Sequence, residues 1–165
     1  MSGDIAEKAR LRCERLAARD ALTQAERQQK SRAMTERGAS VIPLTPGAVV
    51  SGFMPIRSEA DIRPLMEALR TRGARLVLPV VLDRETIIFR AFEVDAPLVR
   101  TGFGTTGPGE DAQVLDPDIL LVPLSVFDGH GQRIGYGAGH YDRAIARLHG
   151  KGRVPILIGV AFDCQ

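Results

Sequence analysis

The run Ile119-Leu120-Leu121-Val122-Pro123-Leu124 constrains the fold of this chain more than any other feature. Consecutive apolar residues leave a strand no polar face, so the segment reads as a central strand covered on both sides. That arrangement belongs to parallel sheets, whose crossover helices lie on both faces. The run is far short of the roughly 18 apolar residues that mark a membrane span, and charges or glycines interrupt every other candidate. No membrane partner is expected.

A second segment points the same way. Val49-Val50-Ser51-Gly52-Phe53-Met54 reads as a strand, Asp61 to Arg72 as a helix with Pro64 in its first turn and Gly73 closing it, and Arg75 to Val81 as another strand. Strand, helix and strand in about thirty residues form a βαβ unit with parallel strands. Thr86 to Phe92 follows as a strand turned back through Asp83-Arg84-Glu85. Residues 93 to 117, with four glycines and three prolines, read as a long loop, and loops of that length are usually functional or mobile. Residues 101 to 113 are the candidate lid. After the central strand come a turn at Asp128-Gly129, a glycine cluster, a helix from Tyr141 to His149 and a last strand at Val154 to Phe162. The fold class expected is α/β, a three-layer α/β/α sandwich with a largely parallel sheet.

The first forty residues are different. Asp4 to Arg19 holds strong helix formers, and Thr23-Gln24-Ala25-Glu26 fits a capping box that starts a second helix towards Arg37, with Gly38 as its stop. An N-terminal helical pair thus precedes the sandwich. Its nine basic residues face six acidic ones, whereas the whole chain carries a net charge of only +2, so the basic surplus lies here. The 165 residues suit a single domain, 1–165, able to bury about 70% of the surface its unfolded chain exposes. An apolar fraction of 44% with 25% charged residues excludes disordered and collagen-like chains. Cys13 and Cys164 lack the spacing of a zinc or redox pair. The start, Met1-Ser2-Gly3-Asp4-Ile5, lacks the order of a secretory signal, so the expected compartment is the cytoplasm.

Chemistry concentrates between Asp128 and Arg143. Gly135, Gly137 and Gly139 alternate directly before a helix, where free N–H groups and the helix's positive end suit an anion such as phosphate. A glycine-rich turn without a ligand would look similar. The dinucleotide and ATPase loops do not fit, because the third glycine comes one residue early for the first and His140 follows Gly139 in place of lysine for the second. Arg133 ahead of the glycines offers a bidentate fork for phosphate oxygens. Asp142 behind them can hold the Mg²⁺ that accompanies a nucleotide triphosphate, or merely answer the helix dipole.

The run Leu121-Val122-Pro123, Phe127-Asp128, Gly131, Arg133-Ile134-Gly135 and Gly139-His140-Tyr141-Asp142 resembles the signature of 5-formyltetrahydrofolate cyclo-ligase, also called methenyltetrahydrofolate synthetase. Lys8-Ala9-Arg10-Leu11-Arg12 is similar to that family's N-terminal K-x-x-x-R helix, and Phe53-Met54-Pro55 with Glu59 and Pro64-Leu65 to its folate-contacting strand and acidic turn. The likeness runs from about Lys8 to Gln165. It implies an enzyme that uses ATP as co-substrate and Mg²⁺ as cofactor to close 5-formyltetrahydrofolate to 5,10-methenyltetrahydrofolate, with release of ADP and phosphate.

The matched positions imply an ATP site at Lys8, Ala9, Arg10, Leu11 and Arg12 together with Arg133, Ile134, Gly135, Tyr136, Gly137, Ala138, Gly139, His140 and Tyr141. Arg133 and Asp142 are implied as catalytic, Asp142 as the metal ligand, and Met54 and Glu59 as substrate contacts. Two features depart from the pattern. Tyr136 and Ala138 stand in a loop where many relatives carry a basic residue, and His140 stands where tyrosine is frequent. Relatives also continue past the Gly-Val-Ala-Phe-Asp-x-Gln stretch with an acidic segment implicated in metal binding, so a C-terminal end short relative to the family is expected at Gln165. The alternatives are a catalytically weak nucleotide- or folate-binding relative and an RNA-binding module built on the basic helices. The latter lacks interleaved aromatics and an extended basic stripe, so no nucleic-acid partner is expected. Oligomeric state is not legible.

Overall fold

The computed structural model describes residues 2–165. It opens with helices α1 (Ser2–Asp20) and α2 (Gln24–Val41). Thr23 caps α2 by the expected box: its hydroxyl accepts from the Glu26 amide, and the Glu26 carboxylate accepts from the Thr23 amide at 2.7 Å. Gly38 does not stop this helix. A Cβ there would lie 2.9 Å from Leu65 Cδ1, so glycine lets α2 lie close against α3 (Arg63–Thr71). The helix ends instead at Ile42, whose backbone is extended.

The strands are β1 (Val49–Ser51), β2 (Arg75–Val81), β3 (Ile87–Ala91), β4 (Leu98–Arg100), β5 (Thr106–Pro108), β6 (Ile119–Pro123), β7 (Val126–Phe127), β8 (Arg133–Ile134) and β9 (Ile156–Val160); α4 spans His140–Gly150. Five of them form one sheet in the order β3-β2-β1-β6-β9. Only the β2–β3 pair is antiparallel. The fold is thus α/β with a mostly parallel sheet, as expected. β2 has the expected bounds, because Leu76 to Val80 has almost no exposed face. β1 is shorter than expected: after Gly52 the chain leaves the sheet for a turn in which Arg57 adopts a left-handed φ of 54°.

Side chains alternate across the sheet and divide the core in two. Leu76, Leu78, Ile119 and Leu121 meet Leu65, Met66 and Leu69 of α3 on one face. Val77, Leu120 and Val122 meet Ala144, Ile145 and Leu148 of α4 on the other. Leu65, Met66 and Leu69 are each at most 2% exposed, and burying a side chain of that kind stabilises by about 1.5–3 kcal/mol. The expected long loop contains structure. β4 and β5 form an antiparallel hairpin, capped by a short 3-10 turn at Gly102–Gly104, and Gly107 sits against Val80 and Pro79. No helix among the described residues is long and apolar enough to cross a membrane.

This topology sets where a ligand can enter. From β1 the chain reaches β2 through α3 on one face, while β6, on the other side of β1, reaches β9 through α4 on the opposite face. Between β1 and β6 the two crossovers part and leave a crevice at the strands' carboxyl ends.

Candidate active site

A cleft of about 590 Å³ lies at that crevice. Its floor comes from the strand ends Phe53, Met54, Pro79, Val81 and Pro123, and its rim from α1, the turn at 56–59, the hairpin residues Thr105 and Thr106, and the segment from Arg133 to Asp142. Of the residues named from the sequence, Lys8, Arg12, Met54, Glu59 and all of Arg133 to Asp142 line it. Ala9, Arg10 and Leu11 do not. Arg10 lies two positions from Lys8, on another side of the helix, and its guanidinium is engaged by Glu7 and Glu14 at 2.6 Å.

Arginines hold the glycine loop from outside. Arg12 Nε donates to the Gly135 carbonyl at 2.8 Å, and Arg143 Nη2 donates to the Ala138 carbonyl at 2.7 Å. Arg143 also reaches the β2–β3 turn through the Glu85 carbonyl at 2.7 Å. With those carbonyls committed, the amides of residues 136–139 have no protein acceptor among the described residues. Gly137 (φ 107°) and Gly139 (φ 68°) take conformations that side-chain-bearing residues rarely adopt, and Gly139 opens α4 without a side-chain cap. The helix's positive end and the unpaired amides thus belong to one segment that lines the cleft, where an anion would find donors.

Charged groups flank it. Arg133 Nη2 pairs with Asp142 Oδ1 at 2.6 Å in the first turn of α4, and the Asp142 side chain is 69% exposed. Lys8 pairs with Asp4 at 2.9 Å on the outer turn of α1. Among the described residues no group of three or more His, Cys, Asp or Glu could hold a metal. A single exposed carboxylate beside an anion cradle fits instead an ion that keeps its waters and binds through one or two carboxylates plus phosphate oxygens, the habit of Mg²⁺.

The opposite wall is built on Glu59. Its Oε2 accepts from the Ile56 amide at 2.9 Å, closing the turn, and its Oε1 accepts from the Tyr136 hydroxyl at 2.6 Å. Met54 serves two ends, lining the cleft and packing on the first core cluster. Burial, with Glu59 adding to it, pushes the Tyr136 phenol up to about 12 against the opposing pull of Arg19. The Tyr141 phenol is pushed up further, first by burial and then by Glu59. Both keep their protons at neutral pH.

Two arginines in this architecture escape sequence reasoning. Arg143 had a signal, since it ends the glycine segment. Arg19, whose side chain is only 2% exposed, had none beyond its place among nine basic residues.

A mostly parallel α/β sheet with a cleft at its switch point, one half lined by cations and glycine-loop amides and the other partly apolar with a carboxylate, has the architecture of a small-molecule enzyme. Comparison with known proteins supplies the rest. A family model described as the 5-formyltetrahydrofolate cyclo-ligase family matches residues 4–165. The 5-formyltetrahydrofolate cyclo-ligase of Escherichia coli (strain K12) is 31% identical over 153 residues, which cover 89% of this chain and 83% of that protein. That of Haemophilus influenzae is 27% identical over 150 residues, 87% of this chain and 79% of its own. The solved structure of Aquifex aeolicus 5,10-methenyltetrahydrofolate synthetase superposes with a TM-score of 0.78 at 28% identity, covering 96% of this chain and 79% of that one. This chain belongs to the 5-formyltetrahydrofolate cyclo-ligase family.

Proposed function

We propose that this protein cyclises 5-formyltetrahydrofolate to 5,10-methenyltetrahydrofolate with one ATP, releasing ADP and phosphate. A formyl group on a ring nitrogen is amide-like and a poor electrophile. Transfer of the γ-phosphoryl group to the formyl oxygen converts that oxygen into a leaving group. N10 then attacks the formyl carbon and loses its proton, and phosphate departs with the oxygen to leave the cyclic methenyl cation.

The single observation that carries this reading is the convergence, around one cleft, of the amide cradle and Arg133–Asp142 pair on one side with Met54 and Glu59 on the other. In this reading the amides of 136–139, the α4 N-terminus, Arg12, Lys8 and Arg133 receive the triphosphate, whose transferring group gathers charge that such donors stabilise. Glu59 accepts hydrogen bonds from the pterin ring, and Met54 packs on its face. Asp142, together with nucleotide phosphate oxygens, would hold Mg²⁺, which when bound supplies charge neutralisation across the phosphates. No side chain is asked to act as a nucleophile; the protein's share is alignment of the two substrates.

The test is to mix the protein with Mg-ATP and 5-formyltetrahydrofolate and follow methenyl absorbance. Product formation that depends on protein and on ATP is expected. No product above a protein-free control at high protein concentration contradicts the proposal.

A further inference from the structure

The two halves of the cleft are wired together by a chain of hydrogen bonds that starts from a buried cation. Arg19 Nη1 donates to the Tyr136 hydroxyl at 2.5 Å, and that hydroxyl donates to Glu59 Oε1 at 2.6 Å. Guanidinium has donors and no acceptor, so the phenol proton can point only towards Glu59. The chain therefore has a fixed direction, from Arg19 through Tyr136 to Glu59. Its second branch runs from Arg19 Nε to Ser58 Oγ at 2.9 Å, and Ser58 in turn donates to Asp20. The guanidinium also lies over the Tyr136 ring, 5.7 Å from its centre.

This is an expensive arrangement to keep. The nearest carboxylate to the buried guanidinium is Asp20 at 3.9 Å, so its hydrogen bonds fall on two neutral hydroxyls. A buried charge held this way is strongly destabilising once a partner is removed. The two hydroxyls belong to different segments, Ser58 to the turn that carries Glu59 and Tyr136 to the glycine loop. Their common anchor is α1, which also holds Gly135 through Arg12. A raised phenol pKa means that the relay stays protonated and polarised throughout the neutral range.

We propose that Arg19 is a positioning residue that, through Tyr136, makes the orientation of Glu59 and that of the glycine loop a single variable, so that a ligand in either half of the cleft pre-orders the other half. The inference rests on the cyclo-ligase reading for the identity of the two ligands. Glu59 can turn to meet a ligand only by re-aiming the phenol, and the phenol is part of the loop whose amides form the anion cradle. A ligand that fixes one orientation removes part of the ordering cost for the second. Linkage requires the effect to be reciprocal.

The test is calorimetric titration of wild type, Tyr136→Phe and Arg19→Lys with the Mg complex of β,γ-imido-ATP and with 5-formyltetrahydrofolate, each alone and in the presence of saturating amounts of the other. In wild type each ligand should tighten the other by about 10-fold, within the usual range of such coupling. In both variants that factor should fall below about 2-fold. A factor of this kind is a ratio of affinities, so uniform weakening of either ligand cancels and a merely structural role for Arg19 leaves it unchanged. The kinetic counterpart is a folate KM that falls with rising ATP in wild type but not in Tyr136→Phe. Tyr136→Phe retains the ring and its volume but leaves the guanidinium one hydroxyl short, so both variants are titrated below their measured Tm, where a folded Tyr136→Phe keeps the test informative should Arg19→Lys fail to fold. Wild type that binds both ligands without coupling, or a Tyr136→Phe variant that keeps the coupling, overturns the proposal alone. Wild type that binds neither ligand overturns the cyclo-ligase reading as well.

Discussion

Replacing Gly137 by alanine adds one methyl group where there is room for it: a Cβ there would lie 3.8 Å from Arg12 Cζ, an ordinary contact. The penalty is therefore conformational. A side-chain-bearing residue in the left-handed region costs about 1–2 kcal/mol, and φ here is 107°, beyond the usual left-handed well. For a chain of this size that corresponds to a fall in Tm of about 2–8 °C. If the loop relaxes to relieve the strain, the amides of 136–139 move off the phosphate they are proposed to receive, and a displacement of about 1 Å can cost on the order of 10²-fold in rate. Gly152→Ala is the matched control. Gly152 has φ 74°, nothing within 4 Å of its would-be Cβ, and no place in the cleft. Thermal melts and kcat/KM for ATP should be measured on both variants. Both should lose a few degrees, Gly137→Ala at least as many as Gly152→Ala, while only Gly137→Ala loses about 10²-fold in kcat/KM for ATP, against less than about 2-fold for Gly152→Ala. A Gly137→Ala variant with lowered Tm and wild-type kcat/KM, or equal activity losses in the two, would refute the reasoning that makes this loop an amide cradle.

Other outcomes can be checked alongside. Asp142→Asn should raise the Mg²⁺ concentration giving half-maximal activity by about 10-fold while leaving the folate KM within about 2-fold, an unchanged Mg²⁺ titration being the contrary result. Gly38→Ala should lower stability by up to about 2 kcal/mol, because the added methyl meets Leu65 at 2.9 Å and this overpacking outweighs the roughly 1 kcal/mol that alanine gains over glycine inside a helix, with kcat per folded molecule unchanged; chemical denaturation and active-site titration decide it. The Tyr136 phenol is raised from its usual value near 10 to about 12 in the folded protein, so the folded state binds more protons than the unfolded one between those values. Its contribution to stability is complete below pH 10 and disappears as pH rises to 12. Urea midpoints across that window should fall more steeply for wild type than for Tyr136→Phe, and parallel curves would contradict the assignment.

What the sequence made legible was local or fully buried. β2 and β6 announce themselves because they are covered on both faces, and the Thr23–Glu26 box because both partners lie within one turn. Lys8 and Arg12, four residues apart, share one side of α1 and both line the cleft, whereas Ala9, Arg10 and Leu11, expected in the same site from the resemblance, do not, because the 3.6-residue period turns them to other sides of the helix. Gly38 is no helix stop, and its reason is tertiary, the side chain of Leu65 on another helix. The β4–β5 hairpin does not show in the sequence because Leu98–Arg100 and Thr106–Pro108 are each only three residues long, too short to display a period, and the second is Thr-Gly-Pro. Arg19 was invisible for the plainest reason: its partner Tyr136 lies 117 residues away, and no local pattern distinguishes it from the other arginines of α1.

The most direct test of the central claim, that this cleft activates the formyl oxygen by phosphoryl transfer, is an isotope measurement. 5-Formyltetrahydrofolate labelled with ¹⁸O in the formyl group is turned over with Mg-ATP, and the released phosphate is analysed by mass. The account predicts one ¹⁸O in each phosphate formed alongside methenyl product. Methenyl product accompanied by unlabelled phosphate would contradict it.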